Sequence, residues 1–397
     1  MQISKLRTSG LIVYLSLLAA ITPFSTDIYL ASMPVIAKQF QSTSTLLQLT
    51  LSLFFIGFAL GQLFWGPLSD KIGRKPAVII GITIYLIASI LCAFSTNITQ
   101  LIIFRLLQAL GACSGVVIAM AMVKDIFTEH NRMTKMLSFM VTIMTLAPMV
   151  APVIGSYLLV HFHWQSNFYF LAAYGLLLIL TMLLIKESHP KIARKPLPIN
   201  KLACAYIEQI KCKPFLVITA AVSTNFCIMF AFISSSPFIY INIYKVSAVQ
   251  FGYLFAFNAF SLILGSFTLN KLKKSLSDPK IMCLGAIGST VTAIVMSILL
   301  SVNPTQILNM ILPSFIITFF VGLLMPLLMS LALKHVVHYT GITSALIGIF
   351  RFSAAALTSV FMGVLITNHP SPLPLVMLVL SIFTLIFIKC YQNNLTL

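Results

Sequence analysis

Three charged side chains stand where charge is costly. Asp27, Arg105 and Arg351 each fall inside a long apolar stretch of the chain. At bilayer depth such a group costs about 3 kcal/mol or more unless it is paired or neutralised, so its presence points to use. Asp27 is the one acidic residue of seven that lies well inside such a stretch; Asp70, Asp125, Glu129, Glu187, Glu208 and Asp278 sit in or beside polar breaks. The chemistry open to a lone intramembrane carboxyl is reversible proton binding. Burial favours the neutral acid and a nearby guanidinium favours the carboxylate, so a change in the Asp27–Arg105 separation would load or release a proton. Counted along helices, Asp27 lies roughly 15 Å and Arg105 roughly 9 Å below the same membrane side, depths that permit contact. Gln108, three residues after Arg105, shares its helix face and completes a polar cluster. Arg351 lies roughly 15 Å in from the opposite side. It either holds an anionic or carbonyl group of a substrate, acts as a second partner for Asp27, or snorkels to water. Asn225 and Asn258, also near mid-span, either line a cavity or bond a neighbouring helix.

The elements that must position these residues follow from composition. Of 397 residues 59% are hydrophobic and 8% are charged, against about 25% charged in an average soluble domain. With a mean hydropathy of +1.03, a water-soluble enzyme is excluded and an all-α polytopic membrane protein is expected. Apolar windows between charge and turn clusters predict twelve spans, near 11–36, 46–68, 77–95, 99–123, 136–160, 164–185, 215–241, 249–270, 281–302, 306–332, 342–366 and 371–389. The first stretch, after Lys5 and Arg7, runs past Pro23 and Asp27 with no small-residue cleavage site, so it is read as a span and not a signal peptide. Of the 25 Lys and Arg residues, 21 fall in breaks on one side, Lys38 and Lys245 on the other, and Arg105 and Arg351 within spans. This places both termini in the cytoplasm. The net charge of +18 is therefore a topology signal, not a nucleic-acid footprint.

The longest polar segment divides the chain into a six-span bundle (1–185), a linker (186–213) and a second bundle (214–397). Such a layout packs around a midplane cavity. Leu202, Tyr206, Ile207 and Ile210 recur at helical spacing in the linker and predict a short helix on the cytoplasmic membrane surface. No Walker A or HExxH sequence is present, the seven His lie in loops or at span edges, and the seven Cys form no CxxC pair. Neither an enzyme nor a cofactor or metal is expected.

Four stretches carry a family resemblance. Gly66-Pro-Leu-Ser-Asp70-Lys-Ile-Gly73-Arg74-Lys75-Pro76, between spans 2 and 3, resembles the signature loop of the major facilitator superfamily. Its glycines suit close helix approach and a turn, and Asp70 suits the positive end of a helix. Arg105-Leu-Leu-Gln108-Ala109-Leu-Gly111-Ala112 is similar to the span-4 motif of proton-coupled members, with Ala109 where Gly is common. Leu146-Ala-Pro148-Met-Val-Ala-Pro152-Val-Ile-Gly155 is similar to the span-5 antiporter motif, with Ser156 replacing a frequent second Gly. Ser25-Thr26-Asp27-Ile28-Tyr29-Leu30 with Met33-Pro34 resembles the span-1 motif of the Bcr/CflA branch of twelve-span drug:proton antiporters, with Ala31 where Pro is frequent.

The resemblance implies the major facilitator fold, two six-helix bundles working by alternating access. It implies proton-coupled efflux of small amphiphilic compounds, with Asp27, Arg105 and Gln108 in proton coupling. Gly66, Asp70, Gly73, Arg74 and Asp125 would form a cytoplasmic latch, and Pro148, Pro152 and Gly155 would bend and pack span 5. Tyr29, Asn225, Asn258 and Arg351 are the candidate cargo residues. The expected setting is a bacterial inner membrane, and the expected partners are lipid, protons and a small molecule, with the carrier monomeric. A dedicated exporter of a siderophore, sugar or amino-acid derivative and a non-transporting receptor remain the alternatives.

Overall fold

The computed structural model describes residues 5–127, 129–190, 199–337, 340–365 and 369–395. They form α1 (Lys5–Asp27), a 3-10 turn (Leu30–Ser32), α2 (Met33–Gln39), α3 (Ser44–Ile72), α4 (Arg74–Ala93), α5 (Ile98–Ile126), α6 (His130–His161) and α7 (Gln165–Leu184). After the linker come α8 (Ile199–Lys211), α9 (Lys213–Pro237) with a π turn (Phe238–Ile243), α10 (Ala248–Leu272), α11 (Asp278–Val302), α12 (Leu308–Ala332), α13 (Thr340–Leu365) and α14 (Pro372–Leu395). Among the described residues, twelve segments are long and apolar enough to cross a membrane, as the hydropathy windows predict. Helix is the state such stretches must adopt, because lipid offers their backbone groups no hydrogen-bond partners. Ends are set locally: Ser247 and Gln250 form a reciprocal capping box at the start of α10.

The first span departs from a continuous helix. It stops at Asp27, makes the 3-10 turn, and restarts at Met33. Pro34 explains the restart, since it has no N–H to give the preceding turn yet fits the first turn of a new helix. The last regular turn bonds Ile28 N to Phe24 O at 3.1 Å, and Ser32 N then bonds Tyr29 O at 2.9 Å. The π turn after α9 has a related cause: it follows Pro237, and Tyr244 N reaches back five residues to Ile239 O at 3.0 Å.

The chain forms two compact units: Met1–Ser32 with Leu53–Leu197, and Met33–Ser52 with Pro198–Leu397. This differs from a contiguous division at the linker. Residues 33–52 group with the second unit because Thr45 Oγ1 donates to Gly363 O at 2.8 Å and Gln48 Nε2 to Ser234 O at 3.2 Å. In the second unit α8 does form over the expected stretch, with Ile207 and Ile210 exposed; the side chain of Leu202 lies outside the described residues. Ala205 and Tyr206 pack α8 against the core of the unit, and a polar contact adds to that. Buried Gln209 donates to His335 O at 2.7 Å and accepts from Val337 N at 3.0 Å and Thr343 Oγ1 at 3.1 Å.

Candidate functional site

The break in the first span puts Asp27 at a helix end, 2% exposed. Two neighbouring helices hold the break in place. Gly155 of α6 abuts the Ile28 carbonyl so closely that a Cβ there would collide with it. Asn167 Nδ2 of α7 donates to Ser32 Oγ at 2.8 Å. Pro148 and Pro152 lie inside α6, about two turns and one turn before the Gly155 contact.

Arg105, on α5, is fully buried. Its guanidinium lies between the rings of Tyr29 and Phe54, 4.4 Å from each centroid, with Phe168 at 6.0 Å. Nη1 donates to Ser25 O at 2.9 Å and to Gln108 Oε1 at 2.6 Å. Gln108 Nε2 passes the chain on to Ser89 Oγ at 2.8 Å, Ser89 Oγ donates to Tyr85 O, and Tyr85 hydroxyl meets Ser25 Oγ at 2.7 Å. Nε and Nη2, which form one edge of the guanidinium fork, are buried and have no acceptor. That edge matches a carboxylate. Among the described residues, however, the ion pairs are Arg74–Asp70, Arg74–Asp125 and Arg132–Glu129; Asp27 and Arg105 are not joined. The structure thus brings Gln108 to Arg105 as the i+3 spacing predicts, while Asp27 forms no ion pair and bonds the Thr26 side chain. Ser25, Phe54, Tyr85, Ser89 and Asn167 complete the cluster. Ser25 falls in the span-1 motif, but single hydroxyls, rings and amides in apolar helices carry no signal of their own, so Phe54, Tyr85, Ser89 and Asn167 were not legible.

At the other end of the unit, Gly73 separates α3 from α4 with φ 104°, a conformation glycine adopts without strain. The turn sets Arg74 between Asp70 at 2.6 Å and Asp125 at 2.9 Å, with Ser69 Oγ accepting from Nη1 at 2.6 Å. Asp70, Gly73, Arg74 and Asp125 therefore meet. Gly66 does not act as expected: it lies inside α3 and a Cβ there would meet open space, so no close helix approach depends on it. Glu187 was missed. Its two carboxylate oxygens accept from Arg74 N at 3.0 Å and Lys75 N at 3.1 Å, capping α4. Lys75 Nζ in return donates to Leu183 O at 2.7 Å and Ile185 O at 2.8 Å, the carbonyls at the end of α7.

The candidate cargo residues separate. Tyr29 is buried against Arg105 and belongs to that cluster. Asn225 Nδ2 donates to Val321 O at 3.3 Å, tying α9 to α12, while its Oδ1 is buried without a partner. Asn258 is 3% exposed on α10, its carbonyl accepting from Ser261 Oγ at 2.6 Å. Arg351, on α13, is stacked between the rings of Phe226 and Phe352. No three His, Cys, Asp or Glu side chains converge on a metal position among the described residues.

The family model described as Major Facilitator Superfamily matches residues 15–359. A Bacillus subtilis protein named uncharacterized MFS-type transporter YdgK is 31% identical over 365 residues, covering 91% of this chain and 89% of its own. The bicyclomycin resistance protein homolog of Haemophilus influenzae is 35% identical over 257 residues, 64% of each chain. The multidrug resistance protein MdtL of Salmonella paratyphi B is 28% identical over 344 residues, 86% of this chain and 84% of its own. Among solved structures, a D-xylose-proton symporter aligns with a TM-score of 0.78 at 13% identity, covering 95% of this chain and 97% of that one. The xylose transporter XylE of E. coli aligns with a TM-score of 0.73 at 13% identity over 97% of both chains.

Proposed function

The chain belongs to the major facilitator superfamily, and from that premise we propose that this multi-pass inner-membrane transporter exports small amphiphilic compounds in exchange for protons. The relatives named for multidrug and bicyclomycin resistance support that cargo class. The observation that carries the proton step is a buried acid without an ion pair in the same unit as a guanidinium with one open edge. Asp27 is buried without an ion pair, and the Nε/Nη2 edge of Arg105 is buried without an acceptor. A buried acid away from a cation suits the protonated form, and an acid on the guanidinium edge suits the carboxylate. Small movements of the broken first span therefore load or unload the proton. Gln108 and Ser25 hold the guanidinium in place while Asp27 moves.

Transport proceeds by alternating access, with the Asp70–Arg74–Asp125 cluster latching the cytoplasmic side. The excess of Lys and Arg in alternate breaks supports cytoplasmic termini. The carrier acts as a monomer, since twelve spans form a complete pathway.

The test uses inverted membrane vesicles energised to a proton gradient and followed with a pH-sensitive dye. Lipophilic cations, neutral antibiotics and anionic metabolites are added in turn. Dye recovery is expected with the wild type and absent in Asp27→Asn, which mimics the protonated acid permanently. Equal recovery in the variant sinks the role of Asp27, and silence across the panel sinks drug antiport in favour of a dedicated carrier.

A further inference from the structure

The second unit holds a cation that nothing in the proton mechanism uses. Arg351 Cζ lies 4.6 Å from the centroid of Phe226 and 4.5 Å from that of Phe352. The two rings meet edge to face at 5.4 Å, and Phe230, one turn along α9, stacks on Phe226 at 4.5 Å. All three phenylalanines are buried. Arg351 itself is half-buried, its Nε is enclosed with no acceptor, and no hydrogen bond or ion pair reaches its guanidinium among the described residues. The unit cannot supply one at this depth. Its acidic residues are Glu208 on the linker helix and Asp278 at the first position of α11, so the spans contribute no carboxylate. Ring faces offset part of the cost of such a charge but satisfy none of its directional donors. A groove of about 340 Å3 runs between the same two helices beside the slot, walled by Thr219, Ser223 and Thr224 of α9 and by Phe350 and Ala354 of α13 rather than by Arg351 or the three rings. Thr219 Oγ1 is also buried without a partner.

We infer that the Phe226–Arg351–Phe352 slot is a cargo subsite for a carboxylate or comparably anionic oxygen group carried on a flat apolar body. Arg351 supplies a charge-assisted, fork-shaped contact to the oxygens. Phe226, Phe230 and Phe352 supply the surface on which the flat part lies. The inference deepens the transport reading and rests on it for the word cargo. Its prediction about binding stands apart from proton coupling.

The experiment measures equilibrium binding to the purified full chain in lipid nanodiscs, with no gradient, by titration calorimetry. The probes are a naphthalene carboxylate, its uncharged carboxamide and the corresponding methylammonium. The wild type is expected to bind the carboxylate about tenfold tighter than the carboxamide, the size of one charge-assisted hydrogen bond. Arg351→Gln should bring the two within about twofold, and Arg351→Lys should keep part of the preference. Phe352→Leu should weaken both probes alike. A wild type without carboxylate preference overturns the inference, whatever the variants do. So does a preference that survives Arg351→Gln, or one that Arg105→Gln removes instead. A carboxylate preference present in a protein that shows no proton exchange would remove the antiport reading and leave the subsite in place.

Discussion

At the scale of the residue, Arg105 shows what a buried guanidinium needs. Two rings, a backbone carbonyl and an amide oxygen account for part of it, and one edge is left open. Lysine cannot replace that arrangement, because a point charge neither stacks between rings nor presents a planar fork. Arg105→Lys is therefore expected to remain in the membrane and lose cargo-dependent dye recovery. Gln108 acts through Arg105. Its replacement by Leu removes one of the two acceptors of Nη1 and the amide that donates to Ser89 Oγ, at a cost of about 1–3 kcal/mol. A lowered Tm and a displaced pH profile of dye recovery should accompany each other in Gln108→Leu. A lowered Tm with an unmoved profile would make Gln108 structural.

At the scale of the element, the broken first span is the feature on which the site turns. Twelve apolar windows were legible from hydropathy, and so was the stretch forming α8. The break at Asp27 was not, although Pro34 is visible, because a proline can start a helix as readily as interrupt one. The contact that sustains the break comes from Gly155, far along the chain. Gly155→Ala forces α6 away from Ile28, an overpacking that costs about 1–3 kcal/mol. Its expected signature is impaired coupled transport at near-normal protein levels, measured beside Gly66→Ala, which should be neutral because its Cβ meets open space. The linker helix makes a separate case. Apolar spacing identifies it, and Gln209 adds a polar anchor that the spacing does not show. Gln209→Ala should raise amide exchange across Ile199–Lys211 while leaving α9 protected. Unchanged exchange would show that the apolar face alone holds the helix.

At the scale of the whole molecule, charge placement and family membership speak to different questions. The fold follows from a chain too apolar for water and divided by basic breaks into two sets of six spans. Orientation is a matter of those breaks, and it has a direct measurement. Reporter fusions active only in the cytoplasm, placed after Lys75 and after Lys274, should be active, whereas one placed after Lys38 should be silent; the reverse pattern inverts the proposed topology. The division into units is subtler. Residues 33–52 group with the second unit through hydroxyl and amide contacts to backbone carbonyls of Gly363 and Ser234. Backbone acceptors belong to every residue, so no reading of residue types could foresee them.

The sequence by itself determined the membrane class, the number of spans and the family, and it picked out the charges that lie within spans. These depend on quantities that are local along the chain: mean hydropathy over about 20 residues, the sign of charge in each break, and a contiguous motif. Tertiary structure alone decided which of those charges are satisfied. It left Asp27 without an ion pair and one edge of Arg105 without an acceptor in the first unit, gave Arg74 two acids and a cap from Glu187, and set Arg351 between two rings with no acceptor. Satisfaction depends on distances of a few ångströms between segments remote in sequence, and those distances exist only once the helices have packed.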